Sequence, residues 1–215
     1  MPPTISIVGK SKSGKTTLIE GLVSALKSRG YRVATVKHAT HRDLADKPGK
    51  DSWRHIRAGS EATATGSSDG IVLVKPTTHD PPLEEVTRLF NEEYDIVIAE
   101  GFKQGNAPKI EVHRKQIGTP LRGLKNLAAI ATDEPLQSSV RQFPINDIES
   151  LADFIENNFM KLRGKRISIY VNNASRKLSA TNQEMIINTL IAMTSNANYT
   201  QAIESIDISY KKGRS

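Results

Sequence analysis

Residues 9 to 16 read Gly-Lys-Ser-Lys-Ser-Gly-Lys-Thr, the pattern G-x-x-x-x-G-K-[ST]. The run Ile5-Ser6-Ile7-Val8 leads into it, and Leu18, Ile19, Leu22, Val23 and Leu26 follow at helical spacing until Gly30 closes the stretch. A strand that turns through glycines into a helix is the context this pattern requires. Glycines let consecutive backbone N–H groups face inward, and the helix N-terminus adds its dipole. Such a cradle suits a polyphosphate. The candidate contacts are Lys12, Ser13, Gly14, Lys15, Thr16 and Thr17, with Lys15 the point charge for the β- and γ-phosphates and Thr16 the hydroxyl for Mg²⁺. The chain is expected to bind a nucleoside triphosphate.

The rest of the first 160 residues alternates strand and helix patterns. Val33 to Val36, Ile71 to Val74, Ile96 to Ala99, Ile110 to Val112 and Leu127 to Ala131 read as strands, with Ile71 to Val74 of the buried type. Trp53 to Ala58, Leu83 to Asn91 and Ile148 to Phe159 read as helices, the first with Asp51-Ser52 as its cap. This alternation predicts an α/β fold: the three-layer phosphate-loop NTPase architecture, with a mostly parallel sheet covered on both faces. Lys-Leu-Arg-Gly-Lys-Arg at 161 to 166 marks a linker, so the expected division is residues 1–160 and 161–215. The second piece reads as a small β-α-β extension: Ile167 to Val171, Asn182 to Met193 and Ala202 to Ile208. About 45 residues is too few for confident self-sufficiency.

Charge is uneven. From Lys161 to Ser215 there are nine Lys/Arg against three Asp/Glu, which places six of the seven net positive charges there. These charges are scattered and interleaved with few aromatics (Tyr170, Tyr199, Tyr210), so a solvated face or an acidic partner is expected rather than nucleic acid. There are no cysteines, which excludes disulfides and thiolate metal sites. Met1-Pro2-Pro3-Thr4 lacks the basic start and apolar core of a signal peptide, and no stretch approaches 18 apolar residues. A cytoplasmic protein that does not engage membranes is the expectation.

Four apolar residues and then an acid place Glu100 at the carboxyl end of a strand, the edge where ligands collect in open α/β sheets. There it could hold Mg²⁺ or orient an attacking water, making Lys15 and Glu100 the candidate catalytic pair. Asp95, at the other end of that strand about 16 Å away, is too far to share the ion. Asp51, in the loop after the second strand, is either a second carboxylate near the metal or a plain helix cap. No Asn-Lys-x-Asp guanine-reading string is present. Asp133, ending Ala129-Ile130-Ala131-Thr132-Asp133, could accept from guanine N1 and N2, or could simply form the turn before Pro135. His38, His41, His55, His79 and His113 form no tight ligand set, and polar contact is expected for His38.

Several ordered strings carry a family resemblance: Gly9 to Thr17, Asp46-Lys47-Pro48-Gly49-Lys50-Asp51-Ser52 with Arg57-Ala58-Gly59, Glu100-Gly101-Phe102-Lys103, and Pro108-Lys109-Ile110-Glu111-Val112. Over about residues 4 to 160 the chain resembles the adaptor proteins of molybdopterin-guanine dinucleotide biosynthesis (MobB-type). The resemblance implies a GTP-binding, usually dimeric protein with weak hydrolysis. It would assist the molybdopterin guanylyltransferase, and the molybdoenzyme is the other expected partner. Carried over by motif, Lys15 and Thr16 meet phosphate and Mg²⁺, with Asp51 and Glu100 at the metal and γ-phosphate end. The chain departs from that family at Lys10 and Lys12, where small or aromatic residues are expected. Lys10 also matches the position of a partner-crossing lysine in related dimeric ATPases, which leaves ATP open beside GTP. The rival readings are a phosphate-loop small-molecule kinase and an ATP-dependent metal- or cofactor-insertion chaperone.

Overall fold

The apolar strand runs become the interior of one sheet. In the computed structural model, which describes residues 2–39, 51–90, 94–160, 169–171, 174–176 and 178–195, the chain divides into two compact units, Met1–Lys161 and Leu162–Ser215. In the first unit six strands, β1 (Thr4–Gly9), β2 (Val33–Lys37), β5 (Ile96–Glu100), β6 (Lys109–His113), β7 (Leu127–Thr132) and β8 (Arg141–Pro144), lie in the order β2-β5-β1-β6-β7-β8. Every neighbouring pair is parallel. All six carboxyl ends therefore share one edge, and the chain crosses over β1 between β5 and β6, where such sheets bind ligands.

Helices α1 (Lys15–Ser28) and α4 (Ile148–Ile155) cover one face. Leu18, Leu22 and Leu26 of α1 and Leu151 and Ile155 of α4 pack there against Ile5, Ile7, Ile96, Ile98, Ile110 and Val112. Arg29, just past α1, pairs with Glu149, Asp153 and Glu156 at 2.6, 2.7 and 3.0 Å and ties the two helices together. On the opposite face Leu83 of the short helix α3 (Leu83–Thr87) packs against Ala34, Val36, Val97 and Ala99, with Phe90, Tyr94 and Phe102 alongside. Asp95 is occupied at the far edge, where Oδ2 accepts from the Arg32 N–H at 2.6 Å.

The expectation of a buried strand at Ile71 to Val74 fails. That segment is β4 (Gly70–Val74), which pairs antiparallel with β3 (Thr63–Ser67) in a separate hairpin. Ile71, Val72 and Leu73 are 80%, 51% and 48% exposed. A short apolar run has the same pattern whether it is buried or lies in a hairpin, and β3, Thr-Ala-Thr-Gly-Ser, carries almost no apolar signal. β8 also escaped the sequence reading: it is four residues long and ends in Pro144, which is tolerated because β8 lies at the sheet edge. Helix α2 (Asp51–Arg57) begins with Asp51 inside its first turn, not at a cap.

The second unit contains β9 (Ile169–Val171) and β10 (Ala174–Arg176), paired antiparallel, and then α5 (Ala180–Ser195). The single strand expected before the helix is thus a hairpin. The strand expected at Ala202 to Ile208, the linker at 161 to 166, His41, Asp46 to Lys50 and the Asn91 helix end lie outside the described residues. Among the described residues no helix is long and apolar enough to cross a membrane.

Candidate functional site

Gly9, the last residue of β1, faces Val112 of β6, and a Cβ there would lie 2.6 Å from the Val112 carbonyl oxygen. Only glycine lets the strand pass into the loop at that spacing. The loop then turns back: Ser13 N–H donates to Lys10 O, Lys12 takes a left-handed φ of 63°, and Gly14 takes φ 93° as the residue that opens α1. No side chain caps α1. Its first-turn N–H groups are left without a side-chain cap, beside the exposed Thr16 and Thr17, as an anion site needs.

Lys15 folds back over the loop, its Nζ donating to Lys10 O at 2.8 Å. Burial lowers its pKa below the usual 10.5; Glu100 opposes that shift, and Lys103 and Lys37 add to it. Thr16 Oγ1 donates to Glu100 Oε2 at 3.1 Å, so the hydroxyl and carboxylate meet at the junction of β1 and β5. Both are hard oxygen donors, the type Mg²⁺ takes while keeping waters and phosphate oxygens in its other positions. Among the described residues no three His, Cys, Asp or Glu side chains converge, so no protein-only metal cage competes with that pair. The residues fit Mg²⁺.

Asp133 follows β7, two strands from β1 on the same edge. Glu100 and Asp133 therefore stand three strand spacings apart, about 14 Å. Asp133 Oδ1 accepts from the Lys115 N–H at 2.8 Å, and Oδ2 lies 3.8 Å from Arg114 Nη1. Asp51, at the start of α2, has a carboxylate that is 87% exposed and meets Arg54 at 3.5 Å. The Nζ of Lys10 lies close to Gly118. His38 is a polar contact, bonded to Asp80 at 2.9 Å and against the Phe102 ring. Between α1 and β2 a groove of about 490 Å³ opens beside Thr16, Lys37 and Glu100, with Ile19, Val23 and Val36 as apolar walls.

Two residues to which sequence reasoning assigned no role shape the site. Lys109 is fully buried on β6 and donates to Gly105 O and Ala107 O, fixing the loop after Glu100; burial lowers its pKa. Arg114, directly after β6, donates from Nε to Ser13 O at 3.2 Å. A lysine opening a short strand was the available signal for Lys109; Arg114, whose partners lie on other strands, had none.

The family described as Molybdopterin guanine dinucleotide synthesis protein B (MobB) matches residues 4–133. The molybdopterin-guanine dinucleotide biosynthesis adapter protein of Haemophilus influenzae is 38% identical over 166 residues, covering 76% of this chain and 93% of the relative. That of Escherichia coli is 35% identical over 171 residues, covering 76% and 97%. Among solved structures, the MobB protein homolog from Bacillus stearothermophilus superposes with a TM-score of 0.54 at 26% identity, covering 74% of this chain and 99% of that one.

Proposed function

The chain belongs to the MobB family of molybdopterin guanine dinucleotide synthesis proteins, and on that premise we propose that it is a GTP-binding adapter with weak GTPase activity. Its place is molybdopterin guanine dinucleotide biosynthesis, as an adapter. The observation that carries the nucleotide reading is the meeting of Thr16 and Glu100 at the mouth of the uncapped α1 N-terminus, with Asp133 about 14 Å along the same edge. In this reading the loop amides and Lys15 hold the phosphates, and Asp133 accepts hydrogen bonds from the guanine N1–H and N2 amino group. Thr16 and Glu100 hold Mg²⁺, which when bound supplies charge neutralisation at the terminal phosphate. A carboxylate shared with Thr16 is a weak base, which suits slow turnover. Asp51 is not needed for this arrangement.

A homodimer is part of the same reading. A two-stranded hairpin is marginal alone, and β3–β4 exposes Ile71, Val72 and Leu73, an edge suited to pairing with a second copy. The pathway partner is the guanylyltransferase or the molybdoenzyme that receives the cofactor, and a pull-down read by mass spectrometry identifies which. Calorimetric titration with GTP, ATP and CTP in the presence of Mg²⁺ tests the nucleotide. GTP preference is expected; ATP binding without GTP binding overturns the guanine assignment.

A further inference from the structure

The chain carries an acid where guanine could be read but none of the Asn-Lys that accompanies it in the Asn-Lys-x-Asp string, since Ile130 and Ala131 stand three and two positions before Asp133. Those missing residues leave a mechanical problem. A base-reading carboxylate at the end of β7 is two strands from the phosphate loop on β1, and a nucleotide is recognised as a whole only if the two loops keep a fixed separation.

The segment after β6, the strand between them, supplies the connection. His113 is 4% exposed and its Nε2 meets Glu134 Oε1 at 2.9 Å. The Lys115 N–H donates to Asp133 Oδ1 at 2.8 Å. Between them, Arg114 faces both ways. Nη1 lies 3.8 Å from Asp133 Oδ2, while Nε donates to Ser13 O at 3.2 Å. The guanidinium packs over Gly14, where a Cβ would meet Nε and Nη2 at 3.5 Å. Three consecutive residues thus pin the Asp133-Glu134 loop, and the middle one reaches 101 positions back to the phosphate loop. Arginine suits this place because its planar fork presents donors in fixed directions, whereas a lysine offers one mobile point charge.

We propose that Arg114 is the specificity-positioning residue of the nucleotide site, holding the Asp133 carboxylate in register with the Ser13-Gly14 phosphate cradle. It takes over from a neighbouring strand the bridging work that Asn-Lys-x-Asp performs within one. The proposal rests on Asp133 reading guanine. Lys115 N–H and Arg114 orient the carboxylate and leave its outward lone pairs for the base, so Arg114 acts on base discrimination more than on phosphate binding.

Titrations of the full chain with GTP, ITP and inorganic tripolyphosphate, all with Mg²⁺, test it in wild type, Arg114→Ala and Arg114→Lys. ITP lacks the N2 amino group, so the GTP/ITP ratio reports Asp133 at the base, while tripolyphosphate reports the loop alone. Arg114→Ala is expected to weaken GTP about tenfold, the worth of one charge-assisted contact. The GTP/ITP ratio should fall toward one, with tripolyphosphate within about threefold of wild type. Arg114→Lys, which keeps the charge, should show the same loss of ratio and carries the test if the alanine variant does not fold. An unchanged ratio, or tripolyphosphate weakened in step with GTP, overturns the proposal. A wild-type protein that does not distinguish GTP from ITP instead overturns the guanine reading beneath it.

Discussion

Replacing Gly9 with alanine tests whether the sheet itself sets the phosphate loop. The added Cβ would lie 2.6 Å from both Val112 O and Ser13 Oγ, about 0.8 Å inside the 3.4 Å at which ordinary contact begins. Ser13 can rotate its hydroxyl, which has no hydrogen-bond partner among the described residues. Val112 O cannot retreat, because its strand is held in register with β1. The strain must therefore pass into the turn at Lys10 to Gly14. Overpacking of this kind costs about 1–3 kcal/mol. At roughly 2–4 °C per kcal/mol for a chain of this size, a cost of about 2 kcal/mol lowers the unfolding midpoint by roughly 4–8 °C. Calorimetric melting gives the first number and tripolyphosphate titration the second, for which about a tenfold loss is expected as the amides leave their aim. Gly66→Ala, in a strand with no atom within 4 Å of the new methyl, is the control and should change stability by less than about 0.5 kcal/mol. An alanine variant at Gly9 with unchanged melting and affinity would refute the argument.

Lys15 binds phosphate only when protonated, and burial lowers its pKa from 10.5. A bound triphosphate favours the charged form and raises that pKa. Affinity should therefore be flat in acid and neutral solution and fall by up to about tenfold per pH unit once pH exceeds the free-site pKa. Titrations between pH 7 and 10 check this, and Lys15→Arg should remove the dependence; an equally steep fall in that variant contradicts it. Glu100→Gln keeps an acceptor for Thr16 Oγ1, so nucleotide affinity should stay within about threefold while turnover drops at least tenfold. Equal losses of both would exclude Glu100 from positioning the water. Ile71 and Leu73 share one face of β4, and Ile71→Asp with Leu73→Asp should convert a dimer to a folded monomer by light scattering. A persisting dimer removes the hairpin from the interface.

The sheet was legible where burial is two-sided. β1, β5 and β7 are nearly uninterrupted apolar runs, and the glycine-lysine loop between β1 and α1 constrains both its neighbours. Thr16 and Glu100 could be placed together because one opens a helix and the other closes the adjacent strand. Ile71 to Val74 misled because composition records that a run is apolar, not what covers it. The role of Arg114 was unreadable for a different reason: its partners, Ser13 and Asp133, are brought to it by β1 and β7, and no local pattern encodes a bridge between strands. The carboxylate of Asp51, a motif position, meets Arg54 of its own helix.

The central claim is that a guanine nucleotide lies along the carboxyl edge with its base at Asp133. Titration of wild type and Asp133→Asn with GTP and XTP measures this directly. The asparagine keeps an oxygen for the Lys115 N–H but presents an amide to the base, which matches the xanthine carbonyl and not the guanine amino group. The account predicts that wild type prefers GTP and the variant prefers XTP. GTP affinity unchanged in the variant, with no gain for XTP, would contradict it.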